Sequence, residues 1–135
     1  MNQQLIELKN KLAPIADLIE DKNDVFYLDY PLHLNVGDLL IYHGTEQFFT
    51  DHNIRVTLKR SEFDVDIEEL KQKITPNTTI LLHGGGNFGD LYPQHQKIRE
   101  TVVETFPHNR VIVLPQTLFY KSQETLEKSA ALFTQ

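Results

Sequence analysis

The sequence predicts a three-layer α/β domain, a mainly parallel sheet with helices on both faces. Short apolar runs near 25–29, 54–59, 78–83 and 110–114 alternate with segments of helical periodicity. Two of them, Thr78 to Leu82 and Val111 to Leu114, are continuous rather than alternating, as in strands buried on both faces. Glycine or proline follows most of the runs. Four strands joined by right-handed helical crossovers make the class Rossmann-like. With 135 residues and no repeat, low-complexity stretch or Pro/Gly/Ser linker, residues 1–135 read as one domain.

Each element has its own signal. Leu5, Leu8, Leu12, Ile15, Leu18 and Ile19 recur at three- and four-residue steps, predicting a first helix with one apolar face and a bend at Pro14. Val25 to Asp29 reads as a strand that Pro31 stops, and the loop Leu32 to Gly37 opens a helix from Asp38 to about Asp51. Ile54 to Lys59 alternates as a strand does. Asp66 is placed to cap a short helix, Ile67 to Ile74, with Glu68 and Glu69 in its favourable first turn. After the strand at 78–82 the glycine run 84–86 reads as a loop, and a helix follows from about Pro93 to Phe106. Pro115 closes the strand at 111–114, and Thr117 to Gln135 reads as a last helix, with Leu126, Ala130 and Phe133 on one face.

Composition removes several chemistries. Apolar residues make up 40% of the chain, enough for a sizeable core, with Phe 8 and Tyr 5 standing in for absent Trp. Lys+Arg 13 against Asp+Glu 19 gives a net charge of −6, the wrong sign for a nucleic acid or an anionic membrane. The absence of cysteine excludes disulfides, thiolate metal sites and a thiol nucleophile, and suits a reducing cytoplasm. No run reaches the roughly 20 apolar residues of a membrane span, and no secretory leader opens the chain. His43, His52, His95 and His108 read as surface positions without metal-ligand spacing, so neither a metal nor a cofactor is expected.

In a sheet of this class ligands bind beyond the carboxyl ends of the strands. There lie His33-Leu34-Asn35-Val36-Gly37-Asp38 after the first strand, His83-Gly84-Gly85-Gly86-Asn87-Phe88-Gly89-Asp90 after the third, and Pro115-Gln116-Thr117 after the fourth. Asn-x-Gly-Asp occurs twice, at 35–38 and 87–90, each copy expected to lead into a helix whose free amides face an anionic group. Turn and cap chemistry alone also favours these residue types. Three familiar motifs fail on context. Gly84-x-Gly86-x-x-Gly89 matches the dinucleotide fingerprint but follows the third strand and lacks the acidic residue for a ribose. His83-Gly84-Gly85-Gly86 matches an esterase oxyanion sequence without any Gly-x-Ser-x-Gly, and there is no P-loop. The candidate ligand-binding residues are therefore Asn35, Gly37, His83, Gly84, Gly85, Gly86, Asn87 and Gln116, with Asp38 and Asp90 closing the two Asn-x-Gly-Asp copies.

From about Val25 to Tyr120, the order Asn35-Val36-Gly37-Asp38, Gly84-Gly85-Gly86-Asn87-Phe88-Gly89-Asp90, Leu114-Pro115-Gln116 resembles the polysaccharide pyruvyl transferases, above all their bacterial exopolysaccharide-biosynthesis branch. The resemblance implies one half of a two-domain fold similar to the GT-B glycosyltransferases. It also implies a cytoplasmic enzyme, at most peripherally associated with a membrane and possibly homo-oligomeric. Its substrates would be phosphoenolpyruvate and a glycan or lipid-linked sugar, joined as a pyruvate ketal. Asp38 or Asp90 would then take the sugar proton or bind the acceptor. Family members are longer, so the chain is expected to be an amino-terminal half, inactive alone. Were it active alone, His33, His83 and Lys121 would be the groups left to hold the donor's anion. Alternative readings are half of a nucleotide-sugar glycosyltransferase, or a non-catalytic sugar- or anion-binding module.

Overall fold

A computed structural model describes residues 2–134. The elements are α1 (Gln3–Asp17), β1 (Val25–Leu28), α2 (Val36–Asp51), β2 (Val56–Arg60), α3 (Ile67–Lys73) and β3 (Thr79–Leu82). They continue with β4 (Gly85–Gly89), α4 (Pro93–Thr105), β5 (Arg110–Val113), β6 (Gln116–Phe119) and α5 (Gln123–Phe133). Four strands form the main sheet in the order β2-β1-β3-β5, all parallel, so the mainly parallel α/β class read from the sequence holds.

Continuous apolar strands are explained by burial on both faces. Along β1, Val25 and Tyr27 face one core with Ala16, Phe49, Leu81 and Leu114, supplied partly by α1 and α2. Phe26 and Leu28 face the other, with Leu58, Leu70, Ile80, Val102 and Phe106, supplied partly by α3 and α4. Every residue of β1 and β3 is buried, which makes these two strands the centre of the domain. The Asp66 side chain accepts from the Glu68 amide and caps α3, as its position predicts.

Several expectations need correction. The apolar face of α1 is largely uncovered: Leu5, Leu8, Leu12 and Leu18 are exposed, and only the end of the helix, at Ile15 and Ala16, packs on the sheet. Asn35, rather than Asp38, caps α2, so the helix starts at Val36 and Asp38 lies in its first turn. Ile54 is core, but its amide donates to the Phe49 carbonyl at the end of α2, and β2 begins two residues later.

The larger correction lies at 84–90 and 116–119. The glycine run is not a helix-opening loop: Gly85–Gly89 is β4, and the residues assigned to the start of the last helix form its parallel partner β6. Isolated Gly-rich sequence has little strand preference, so this pairing reflects close chain approach. A Cβ on Gly84 would stand 2.4 Å from the Pro115 carbonyl oxygen, and one on Gly89 would stand 1.8 Å from that of Phe119. Gly89 also holds φ +125, which side chains rarely adopt. The last helix accordingly starts at Gln123 behind a Ser122 cap; Met1 and the expected helix end Gln135 lie outside the described residues. Among the described residues, no helix is long and apolar enough to cross a membrane.

Candidate functional site

The neighbouring strands β1 and β3 send their chains to opposite sides, β1 toward β2 and β3 toward β5. Beyond their carboxyl ends this divergence opens a crevice, the usual ligand position in such sheets. The loop 29–35 forms one wall and the start of β4 another. The Asn35 side chain accepts from the Gly37 amide at 3.0 Å and the Asp38 amide at 3.4 Å, fixing the first turn of α2. There the Asp38 Oδ2 and His33 Nε2 lie 2.6 Å apart, both partly open to solvent. The other carboxylate oxygen faces β4, lying 3.8 Å from where a Gly85 Cβ would stand.

Beside this pair runs an apolar groove of about 560 Å³, lined by Leu12, Ile15, Ile41 and Phe48 from α1 and α2 and by Gly84, Gly85 and Leu114 across from them. Thr45, Gln116 and Thr117 are its polar lining. One end of the crevice thus carries a carboxylate and an imidazole, and the rest is mainly apolar.

The remaining sequence-predicted residues are disposed differently. His83 is 2% exposed, and its Nδ1 shares a 2.5 Å hydrogen bond with the Tyr27 hydroxyl. Burial pushes the His83 imidazole down to about 4 and the Tyr27 phenol up, so both are neutral at pH 7 and His83 offers no positive charge to an anion. Part of the expected cradle of free amides is also used up. The Gly85 amide donates to the Pro115 carbonyl, that of Asn87 to Gln116 Oε1, and that of Gly89 to Gln96 Oε1. Gln116 in turn donates from Nε2 to the His83 carbonyl at 3.3 Å, so both ends of its amide brace the wall. Gly86 faces Thr117 and is exposed.

Asp90 does not lead into α4, whose first residue is Pro93 and whose Tyr92 cap makes no side-chain bond. Its two carboxylate oxygens accept from the amides of Lys121 and Ser122 at 2.8 and 2.9 Å, clasping the entry to α5 and holding its carboxyl below the usual range. Five residues of extended chain, roughly 16 Å at about 3.3 Å each, separate Asp90 from Gly85 beside Asp38. The two aspartates do not converge on one reacting centre.

Behind the crevice lies a polar network that the sequence reading passed over. Asp29, directly after β1, is buried with φ 65. Its Oδ1 is 2.7 Å from His95 Nδ1, and its Oδ2 accepts from the Arg99 guanidinium at 3.5 Å. Arg99, fully buried, also donates to the Asn87 carbonyl at 3.1 Å and to the Asn87 side-chain oxygen. The Asn87 side chain therefore points inward, and His95 is not the surface residue its helical position suggested. The legible signal was the pair His95 and Arg99, four apart on one face of α4, opposite an aspartate that ends an apolar strand.

Residues 35–135 match the model of the polysaccharide pyruvyl transferase family. The chain is 42% identical over 130 residues to EpsO of Bacillus subtilis (strain 168), whose name assigns it provisionally as a pyruvyl transferase; the match covers 96% of this chain and 39% of EpsO. It is 38% identical over 116 residues to Pyruvyl transferase 1 of Schizosaccharomyces pombe (strain 972), covering 82% of this chain and 29% of that protein. General stress protein 30 of B. subtilis is 30% identical over 133 residues, covering 90% and 39%. The chain spans about two fifths of the length of these relatives, or less.

Proposed function

The chain belongs to the polysaccharide pyruvyl transferase family, and on that premise we propose that it forms the acceptor side of a pyruvyl transfer site. The donor is phosphoenolpyruvate, the acceptor a sugar of an exopolysaccharide or of its precursor, and the product a cyclic ketal. The reaction runs in the cytoplasm. Its remaining machinery belongs to a second domain, together with which this chain makes a GT-B-like pair.

The observation that carries the acceptor assignment is the Asp38–His33 pair at the crevice, set beside a glycine run whose Gly85, Asn87 and Gly89 amides already have partners. A hydroxyl-bearing neutral ligand suits a carboxylate and an imidazole; a phosphorylated carboxylate does not. Nearby cations are committed, Arg99 to Asp29 and Asn87, and Lys59 to Glu46 and Tyr42. Cationic groups for the donor therefore come from outside this chain.

Ketal formation joins two hydroxyl oxygens to C2 of phosphoenolpyruvate, adds one proton to its methylene carbon and expels phosphate. One hydroxyl proton is balanced at the methylene, and the other leaves with the phosphate. Asp38 accepts the first hydroxyl proton, and His33 holds that carboxylate in place and shares the charge. Gly37, Gly84 and Gly85 keep side chains away from the sugar, and Gln116 supports the wall. Asn87 and Asp90 hold β4 and the α5 entry rather than the substrate.

The test is a chimaera in which this chain replaces the matched segment of Pyruvyl transferase 1, assayed for phosphate release from phosphoenolpyruvate with glycan acceptors and for pyruvylated product by mass. Turnover that Asp38→Asn abolishes, while the isolated chain binds neutral sugars and not phosphoenolpyruvate, is the expected result. Nucleotide release from nucleotide sugars would favour a glycosyltransferase half instead, and sugar binding without turnover a non-catalytic module.

A further inference from the structure

We propose that His95 is a proton-operated clasp: as imidazolium it bridges Asp29 and Glu62 and fastens the β2–α3 connection to the floor of the crevice, and as neutral imidazole it releases Glu62. The ring is nearly buried, with Nδ1 at 2.7 Å from Asp29 Oδ1 and Nε2 at 3.6 Å from Glu62 Oε2. A neutral imidazole carries one N–H, so between two carboxylates it must present a bare lone pair to one of them. The imidazolium presents an N–H to each, hydrogen-bonding Asp29 and pairing with Glu62 by charge.

The surroundings favour the charged form on balance. Facing the ring are Asp29 from the end of β1, Glu62 from the connection 61–66, Arg99 from the next turn of α4, Tyr92 just before α4, and His83 from the end of β3. With His83 neutral and Tyr92 a phenol, Asp29 and Glu62 are balanced only when both Arg99 and His95 are charged. The Asp29 hydrogen bond lifts the His95 imidazole above its ordinary value, against the opposing effect of burial, with the charges of Asp29 and Glu62 adding to the lift. The dipole of α4 opposes a positive charge on His95, the third residue of that helix, and the two carboxylates outweigh it.

The clasp adds a side-chain tie between two places already joined by the Asp29 amide, which donates to the Arg60 carbonyl, and by Val65 packed into the core beside α4. Asp29 begins the loop that carries His33 into the crevice. Glu62 lies in a tight turn in which the Ser61 amide and hydroxyl both donate to Asp64 and the Val65 amide donates to the Ser61 carbonyl. That turn delivers Asp66 to the start of α3. Losing the Glu62 contact frees the turn while leaving the Asp29–Arg99 contact in place.

The experiment is an NMR titration of the His95 ring in the 135-residue chain from about pH 5 to 9, beside amide-exchange protection factors for Asp64 and Val65, in wild type and in Glu62→Gln. Glu62 is on the surface side of the ring, so this variant keeps the fold even where His95→Gln does not. The expected result is a His95 pKa above the ordinary ~6.5, lowered in Glu62→Gln. Protection at Asp64 and Val65 should fall about tenfold as His95 loses its proton, and should be low at every pH in the variant. A His95 titrating at or below its ordinary value, or protection that ignores both pH and Glu62→Gln, would overturn the clasp.

Discussion

Acidification tests the buried Tyr27–His83 pair. Burial holds the His83 imidazole near about 4 in the folded chain, whereas an unfolded histidine titrates near ~6.5. Between those values the unfolded chain takes up a proton that the folded chain refuses, so stability is full above about pH 6.5 and drains away as the pH falls toward about 4. At about 1.4 kcal/mol per tenfold change in affinity, that interval is worth about 3 kcal/mol, a large share of a small domain's stability. Urea unfolding followed by circular dichroism, at half-unit steps from about pH 4 to 7.5, measures it against His83→Gln, whose amide oxygen can accept from Tyr27 but does not titrate. Carboxylates such as Asp90 and Asp64 lose their own contributions at the acid end, equally in both proteins. The His95 contribution has the opposite sign, being complete below about pH 6.5 and lost on the alkaline side. The stability advantage of wild type over His83→Gln should therefore shrink by about 3 kcal/mol across the window. An advantage that stays constant with pH would mean that folded His83 accepts a proton, and the neutral buried pair would have to be abandoned.

Other substitutions separate packing from chemistry. Gly89→Ala drives a Cβ into the Phe119 carbonyl at a positive φ and should cost about 3 kcal/mol or more in a thermal melt. Gly44→Ala, in open space within α2, should raise stability by about 0.5–1 kcal/mol. Asp66→Ala removes the α3 cap and should cost about 1 kcal/mol by urea unfolding. In the chimaera Asp90→Asn should lower the melting temperature and leave turnover, because its oxygens serve the Lys121 and Ser122 amides. Asp38→Asn should do the reverse, and the opposite pairing would return Asp90 to the chemistry.

The parallel sheet was legible because strands buried on both faces leave an apolar run that no surface element imitates, and Asp66 announced α3 because its side chain acts locally. Asp38 was placed at the start of α2 for the same local reason, and it stands just inside the helix that Asn35 caps. What escaped the reading depended on contacts distant in sequence. Nothing near Gly85 foretells Pro115 and Gln116, so a run of flexible residues reads as a loop until its partner is known. Asp90 was read against the helix that follows it, whereas its ligands come from the chain entering α5. His95 looks like an ordinary polar helix residue until Asp29 is brought against it by the folding of β1 beneath α4.

The two-stranded sheet has a kinetic consequence. β4 continues the chain of β3 and β6 that of β5, and the pairs Leu82↔Val113 and Gly85↔Gln116 keep the same spacing along the chain across the break. The Leu114 amide donates to Leu82 and the Gly85 amide to Pro115, so the ladder is carried through the turn. Bringing β3 and β5 together closes a long loop that contains α4, which is the slow and entropically expensive event. Once that loop is shut, Gly85 and Gln116 are already neighbours, and β4 zips onto β6 with almost no further search. A glycine-rich segment with little strand preference of its own is thus ordered last, by an encounter that the apolar strands before it have already made.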